Sequence, residues 1–379
     1  MTGPVEPQAG PFERRFDAVR HRLGNTGVEA LLLSVGPDLP WLTGYEAMPL
    51  ERLTMMVLPA DGPATLVVPA LEAPRVVERP NLFSLRPWSE TEDPIRIVAG
   101  LLGGAQRCAM GDTTWARFVV DLLAAGPDLA LSRSVSVMGP LRAVKDTHEI
   151  DALSAAGSAA DRVARQLQAG DVPLIGRTEA EVSAEIGRRL LAEGHQRVNF
   201  AIVAAGENAA SPHHEPGARV IRADEVVLCD FGGTMHDRWG VGYCSDITRC
   251  VWTGDDVPGD VAAVYEVLHQ AHGASCAAVA AGVSCESVDS AGREVIAAAG
   301  YGQYFVHRTG HGIGVEAHED PYMVAGNAEL VEVGHAFSIE PGIYLPGRFG
   351  FRLEDCGSVV SDGWQPFTDA DHALTSVIA

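Results

Sequence analysis

Five residues of types that bind metal ions occur in the second part of this 379-residue chain. They are Asp230, Asp246, His311, Glu340 and Glu354. The acidic members lie in or beside short apolar runs, where burying an unpaired charge is costly. Two carboxylates held close together would raise one pKa unless a cation lay between them. The pattern therefore indicates a buried cation site.

Four carboxylates and one imidazole make an oxygen-rich donor set. Such a set suits hard or borderline divalent ions, of which Mn²⁺ fits best and Co²⁺ or Zn²⁺ are alternatives. Four negative charges also match two dications, so the sequence predicts a dinuclear centre. Taken alone, an Asp-x-Gly is more often a turn and a single histidine is more often structural. The prediction rests on the five residues together.

Glycines between the two aspartates suggest how these side chains meet. Gly232, Gly233 and Gly240 permit a turn after a strand predicted at 225–230, which ends at Asp230. A hairpin at this place would bring Asp230 and Asp246 onto one face of adjacent strands.

Helices and strands around these residues occur in blocks. Capping boxes at 146–149 and 178–181 begin two amphipathic helices that end near 168 and 193. Strands are predicted at 201–204, 225–230 and 243–252, helices at 260–281 and 285–299, and strands again around 307, 336–340 and 351–355. Blocks of this kind favour an α+β domain whose helices pack on a largely antiparallel sheet.

The first part of the chain has a different pattern. Strand-like runs at 30–34, 55–59, 65–68 and 108–110 alternate with helix-like segments at 96–102 and 115–123. They indicate a smaller α/β domain, which contains few clustered residues of the kinds that do chemistry. The segment 138–146, with Gly139 and Pro140, is interpreted as a connector, so the predicted domains are 1–140 and 141–379.

Composition argues against several classes of function. Hydrophobic residues make up 46% and charged residues 21%, the balance of a globular protein rather than a disordered chain. The net charge of −22 repels phosphate backbones and anionic lipids, so we expect no nucleic-acid and no membrane partner. Residues 1–10 lack a secretion-signal pattern, and seven cysteines without a C-x-x-C pair fit a reducing cytoplasm.

Five segments together resemble the pita-bread metallopeptidases, in particular the Xaa-Pro dipeptidases (prolidases) and Xaa-Pro aminopeptidases. In the family's order they are DFG at 230–232, YCSDITR at 243–249, TGHGIG at 309–314, IEPGIY at 339–344 and RLED at 352–355. More loosely, WLTGY at 41–45 and LRAVK at 141–145 resemble the N-terminal accessory domain of the proline-specific and creatinase branch. The resemblance implies a pita-bread catalytic domain behind a creatinase-type domain, usually in a homodimer.

The resemblance also assigns metal-binding roles. It implies that Asp230 binds one ion, that His311 and Glu340 bind the other, and that Asp246 and Glu354 bridge the two. One departure concerns the first aspartate, because residues 235–239 lengthen the interval between Asp230 and Asp246 to 246 − 230 = 16 positions. Asp237 in this insert competes as the first ligand, and Asp230 is favoured because it follows a buried-looking strand.

Other active-site positions follow from the same resemblance. A helper histidine precedes the first aspartate in the family, and His213 matches it better than His214 does. His307 and His318 match the family's two other active-site histidines.

The expected reaction is hydrolysis of a tertiary Xaa-Pro amide, whose nitrogen carries no N–H. Two dications would lower the pKa of a water so that it attacks near neutral pH. His318 or His213 would stabilise the oxyanion, and Glu340 would carry the proton to the leaving proline nitrogen. Tyr344 and Arg352 match positions that support the metal cluster and the bound substrate.

Several alternatives stay open. The substrates are expected to be short proline-containing peptides, and a dipeptidase is favoured over an aminopeptidase by chain length and general similarity. A metal-free creatinase-like amidinohydrolase and an inactive peptide-binding module are disfavoured, because either is expected to have lost some of the five ligands. A nucleotide-binding role for 310–314 fails because the spacing is not G-x-G-x-x-G.

Overall fold

The computed structural model describes residues 10–378, which form two compact units. One unit comprises the described residues up to Arg142 together with Asp237–Val241, and the other comprises Ala143–His236 and the residues from Gly242 onward. Residues 1–9, on which the expectation about a secretion signal depends, and Ala379 lie outside the described residues. Among the helices of residues 10–378, none combines the length and the apolar character needed to cross a membrane.

The first unit is built on a six-stranded mixed sheet. Its strands are β1 (Ala30–Leu33), β2 (Met55–Pro59), β3 (Ala64–Pro69), β4 (Phe83–Trp88), β5 (Arg107–Met110) and β6 (Ala130–Arg133). Their order in the sheet is β4-β3-β2-β1-β5-β6. Strands β3 and β4, β1 and β5, and β5 and β6 pair in parallel, whereas β2 is antiparallel to both neighbours. The helices are α1 (Phe12–Thr26), α2 (Asp38–Thr43), α3 (Pro94–Leu101), α4 (Ala116–Ala125) and α5 (Val135–Ala143).

The second unit combines four long helices with a ten-stranded sheet. The helices are α6 (Thr147–Gln168), α7 (Glu179–Ala192), α8 (Gly259–Ala278) and α9 (Cys285–Ala298). The strands are β7 (Arg197–Ala205), β8 (Val226–His236), β9 (Gly242–Cys244), β10 (Ile247–Trp252), β11 (Gly310–Gly312), β12 (Glu319–Met323), β13 (Ala336–Ile339), β14 (Gly342–Leu345), β15 (Phe349–Arg352), β16 (Glu354–Val360), β17 (Gly363–Pro366) and β18 (Thr375–Ser376).

The large sheet runs in the order β12-β11-β13-β16-β10-β8-β7, with β9, β17 and β18 added beside β8, β16 and β10. Every pair in it is antiparallel except β10 with β18. Strands β14 and β15 form a separate hairpin. The predicted α+β class with a largely antiparallel sheet is confirmed.

The two predicted capping boxes are present at the starts of α6 and α7. The side chain of Asp146 accepts the backbone N–H of Glu149, and Thr178 does the same for Glu181, with each glutamate reaching back. Reciprocal bonds of this kind satisfy amide groups that the first helical turn leaves unpaired. Both helices therefore begin where the sequence predicted.

Other predictions about elements were wrong. Segment 138–146 is not a connector throughout, because α5 continues to Ala143 with Pro140 inside it. The side chains of Val137 and Met138 are 0% and 1% exposed, so burial outweighs the weak helix preference of this segment. Strand β8 does not end at Asp230 but runs on to His236. The strand predicted at 351–355 is divided at Leu353 between β15 and β16.

Candidate metal centre

The five predicted donors are carried by neighbouring strands of the large sheet. Asp230 lies in the middle of β8, Asp246 directly precedes β10, and Glu354 begins β16. His311 is the central residue of β11, and Glu340 directly follows β13. Because these strands are consecutive in the sheet order, donors more than 100 positions apart in the chain meet at one place.

Strand periodicity decides which face these side chains occupy. Val227, Cys229 and Phe231 of β8 belong to the core formed with α6 and α7. Successive strand residues point to opposite faces, so Asp230 points away from that core. Its cross-strand neighbour is Thr248 of β10, which also pairs in register with Glu354 of β16.

Thr248 was not among the predicted site residues. Its hydroxyl donates to Oε2 of Glu354 at 2.7 Å and lies 3.2 Å from Nε of Arg352. The signal available in the sequence was its position two residues after Asp246, which places both side chains on the same face of a strand.

Potential ligand atoms fall into groups whose members all lie within 4.8 Å of one another. One group is Asp230, Asp246 and Glu354, and another is His311, Glu340 and Glu354. Asp246 also groups with His311, whose Nε2 lies 3.8 Å from its Oδ2. Asp246, His311 and Glu354 thus each belong to two groups, and of these three the carboxylates offer two oxygens each, as bridging ligands require.

Unpaired oxygens support a cation at this place. Oδ1 of Asp230, Oδ1 of Asp246 and Oε1 of Glu354 are buried and have no hydrogen-bond partner within residues 10–378. Buried polar atoms are almost always paired, so three such oxygens in one cluster need an explanation. Divalent metal ions that bind oxygen ligands supply one, and the residues present fit them.

Burial and mutual repulsion act strongly on the acidic groups. The pKa values of Asp246 and Glu354 are raised well above their usual range, first by burial and then by neighbouring carboxylates. The pKa of Glu340 is raised to about 7, mainly by burial. Bound dications would reverse this effect, because they favour the charged form of each carboxyl group.

His311 is presented to the cluster in a defined orientation. Its Nδ1 lies 3.1 Å from the carbonyl oxygen of Gly312, which can only accept, so Nδ1 carries the proton. Nε2 is then left with a lone pair 3.2 Å from Oε1 of Glu340. Burial, followed by the neighbouring His318, lowers the pKa of His311 well below its usual range. The neutral ring is the form that binds metals.

The predicted supporting residues form a network behind the cluster. Nη2 of Arg352 donates to Oδ2 of Asp230, and its Nη1 lies 2.8 Å from the hydroxyl of Tyr344. That hydroxyl also lies 2.8 Å from Nε2 of His307. Burial lowers the pKa of His307 to about 4, so its ring is neutral near pH 7.

A cleft of about 410 Å³ opens onto the donors, a size typical of small-molecule sites. His213, His307 and His318 are among the residues that line it. His214 is not among the lining residues. Its Nε2 lies 2.8 Å from Oε2 of the buried Glu179.

The competing aspartate in the insert has a different environment. Oδ1 of Asp237 accepts the backbone N–H groups of Trp239 and Val241 at 2.8 and 2.9 Å. This residue belongs to the unit that contains the N-terminal part of the chain, and it is absent from the donor groups described above. Among the described residues, Asp230 belongs to a candidate donor group and Asp237 does not.

Sequence reasoning also missed Arg308, which lines the cleft. Its guanidinium lies over the ring of Tyr322 at 4.4 Å, and Nη2 is 3.4 Å from Nδ1 of His318. The other cation lining the cleft is Arg352, which is 2% exposed and bonded to Asp230, Tyr344 and Thr248. Among the lining residues, Arg308 is thus the cation positioned to meet a ligand.

Comparison with known proteins gives a consistent picture. Residues 151–361 match metallopeptidase family M24, and residues 15–144 match the creatinase/prolidase N-terminal domain. The chain is 42% identical over 373 residues to the probable dipeptidase PepE of Mycobacterium tuberculosis, covering 97% of this chain and 96% of that one. It is 35% identical to the Xaa-Pro dipeptidase of Lactobacillus helveticus, covering 95% and 98%. The solved structure of a prolidase from Thermococcus sibiricus is similar with a TM-score of 0.91 at 34% identity, covering 97% and 100%.

Proposed function

This chain belongs to metallopeptidase family M24, and from that membership we propose that it is a metal-dependent dipeptidase that hydrolyses Xaa-Pro dipeptides. The relatives described as dipeptidase, Xaa-Pro dipeptidase and prolidase align over nearly its whole length. The observation that carries the proposal is the set of three overlapping donor groups at the cleft, in which Asp246 and Glu354 each occur twice.

Two ions would be held by the five donors. Asp230 would bind one, His311 and Glu340 would bind the other, and Asp246 and Glu354 would contribute to both. Four carboxylates favour Mn²⁺ over softer ions, with Co²⁺ or Zn²⁺ as alternatives. When bound, the ions supply an activated water and a Lewis acid for the scissile carbonyl group.

The remaining residues would position groups and move protons. Glu340 would carry a proton from the attacking water to the leaving proline nitrogen, because its carboxylate belongs to a donor group at the cleft. His318 and His213 line the cleft and are available to stabilise the oxyanion. Arg352, held by Tyr344, would orient the Asp230 carboxylate.

Arg308 favours a dipeptide over a longer substrate. The proline of an Xaa-Pro dipeptide ends in a free carboxylate, whereas in a longer peptide the same position is a neutral amide. A guanidinium binds a carboxylate through charge-assisted hydrogen bonds. Arg308 at the cleft is therefore expected to recognise this carboxylate.

The test compares Gly-Pro with Gly-Pro-amide and Gly-Pro-Pro in the presence of Mn²⁺. Wild-type enzyme is expected to prefer Gly-Pro. The R308Q variant is expected to raise KM for Gly-Pro about 10- to 100-fold, because it loses a hydrogen bond between two charged groups. The slow turnover of Gly-Pro-amide, which has no carboxylate, should stay nearly unchanged. R96Q serves as the matched control, because the side chain of Arg96 is 86% exposed.

Equal turnover of Gly-Pro and Gly-Pro-Pro would instead indicate an aminopeptidase. An unchanged KM for Gly-Pro in R308Q would show that Arg308 does not recognise the substrate carboxylate. Activity that survived exhaustive chelation would contradict a metal-dependent mechanism altogether.

We further propose a homodimer that acts in the cytoplasm. Support comes from the resemblance to a branch whose members commonly pair, and from seven cysteines that are free. Free thiols persist in a reducing compartment.

A further inference from the structure

A second cluster of metal-binding residue types lies outside the cleft. Ligand atoms of His272, Asp355 and His372 all lie within 4.8 Å of one another. Nε2 of His372 is 2.6 Å from Oδ2 of Asp355, and Nε2 of His272 is 3.4 Å from the same oxygen. These three residues are called the His272 cluster below.

The His272 cluster is separate from the dinuclear centre. Asp355 directly follows Glu354 in β16, and successive side chains of a strand point to opposite faces of the sheet. His272 comes from α8, and His372 comes from the segment that follows β17. The residues that line the peptide cleft include none of the three.

The carboxylate of the cluster is fixed in orientation. Oδ1 of Asp355 accepts from Nη2 of Arg249 at 2.7 Å and from the hydroxyl of Thr368 at 2.6 Å. Both partners are buried, so the carboxylate is held and its Oδ2 is turned toward the imidazoles. Outer partners of this kind typically orient metal ligands.

His272 is poorly satisfied by hydrogen bonds. It is 3% exposed, and its polar contacts are long: Oδ2 of Asp355 lies 3.4 Å from Nε2, and Sγ of Cys276 lies 3.9 Å from each ring nitrogen. A thiol is a weak partner, and buried polar groups normally have a good one. The buried imidazole, aimed at a fixed carboxylate oxygen, points to a missing ligand.

The distances are compatible with a tetrahedral ion. Donors on tetrahedral zinc, with bonds of about 2.0–2.1 Å, lie about 3.3 Å apart. The separation of 3.4 Å between His272 and Asp355 meets this requirement. The 2.6 Å between Nε2 of His372 and Oδ2 of Asp355 is shorter than this donor separation, so His372 would have to move outward by less than about 1 Å. Its side chain is 35% exposed, which leaves room for that movement.

An access route leads to the cluster. His372 lines a cavity of about 650 Å³ whose lining also includes Glu266, Asp369 and Asp371. The carboxylates of Glu266 and Asp371 attract cations to such an opening, whereas Asp369 is ion-paired with Arg165. His269, three residues before His272 on α8, lines it as well, with its ring 6.0 Å from that of His372.

We propose that His272, Asp355 and His372 form a third metal site, suited to Zn²⁺, with an open position that faces the cavity. Two imidazoles and one carboxylate are a donor set typical of zinc, whereas the oxygen-rich dinuclear centre suits harder ions. The ion would join α8, β16 and the segment around His372, and so stabilise the C-terminal part of the chain.

The experiment measures zinc stoichiometry rather than activity, so its outcome is independent of the proposed peptidase function. Chelated protein is saturated with Zn²⁺, desalted and analysed for metal per chain. We expect three zinc ions in wild type, two in H372Q and three in H21Q, whose target histidine is exposed and lies in the other unit. H272Q is expected to match H372Q.

A second readout uses the Mn²⁺-loaded protein. Stoichiometric Zn²⁺ is expected to raise the thermal midpoint of wild type and H21Q by several degrees and that of H372Q by none. Because His372 lies at the edge of a cavity, H372Q should fold even if H272Q does not. A wild-type zinc content that does not exceed that of H372Q would refute the third site, whatever the number of ions held by the dinuclear centre.

Discussion

At the scale of single residues, Asp246 and Glu354 are the most informative positions, because each belongs to two donor groups. We expect D246N and E354Q each to lose bound metal and to lower kcat/KM by more than about 100-fold, the upper end for changes in the outer shell alone. Metal analysis and Gly-Pro hydrolysis measure both effects.

Asp237 provides the matched control for this prediction. The D237N change keeps an oxygen that can accept the two backbone N–H groups of the turn. Wild-type metal content and activity are therefore expected. If D237N lost metal while D246N kept it, the ligand assignment would be wrong.

Glu340 should make the stability of the metal-free protein depend on pH. Its pKa is 4.5 in the unfolded chain and about 7 when buried in the folded protein. Between these values the folded state holds a proton that the unfolded state has released, so the contribution of Glu340 to stability is present below pH 4.5 and is lost as pH rises toward 7.

The measurement compares thermal unfolding of chelated wild type and chelated E340Q from about pH 5 to about pH 8, which spans the interval in which the two states differ in bound protons. Histidines whose pKa is lowered by burial, such as His307, give the opposite slope, and their effect cancels in this comparison. Wild type should lose stability relative to E340Q as pH rises, and Mn²⁺ should reverse this trend, because Glu340 is one of the proposed ligands and binds the ion in its deprotonated form. A difference that is constant with pH would contradict the assigned titration of Glu340.

At the scale of elements, the close approach of β11 to β13 depends on a glycine. A Cβ at Gly310 would collide with the backbone oxygen of Ser338. We expect G310A to push these strands apart, displace the adjacent His311 and reduce stability by about 1–3 kcal/mol, the usual range for overpacking. Thermal unfolding and metal content are the readouts.

Gly273 offers the same chemical change without the collision. It lies exposed in α8, and a Cβ added there would meet no neighbouring side chain or strand within 4 Å. G273A should therefore stabilise the helix by about 0.5–1 kcal/mol. If G273A and G310A changed stability equally, close packing of β11 would not be the reason that position 310 is a glycine.

At the scale of the whole molecule, the proposed homodimer makes a direct prediction. The chain mass is 40.1 kDa, so light scattering should give twice that value at micromolar concentration. A charge of −22 per chain makes the two copies repel each other, and added salt should therefore favour association. A mass of 40.1 kDa at every concentration and salt level would rule the dimer out.

The α+β class, the starts of α6 and α7, and the nature of the donor set could all be predicted from the amino-acid sequence. Helix caps, strand alternation and metal-binding residue types are encoded in short segments of sequence, so these features could be predicted without the tertiary structure. Asp230, Asp246, His311, Glu340 and Glu354 could each be found in a motif of a few residues. Their chemistry, four carboxylates with one imidazole, follows from residue type alone.

The strand pairing that brings the five donors together, and the further residues that complete the site, could be seen only once the chain was folded. Strand register aligned Thr248 with both Asp230 and Glu354, and packing of Val137 and Met138 turned a predicted connector into helix. The placement of Arg308 in the cleft, and the meeting of α8 with the end of the chain in the His272 cluster, likewise had no local signal. Contacts between residues distant in the chain depend on how strands pair and how helices pack, and no short window of sequence contains that information.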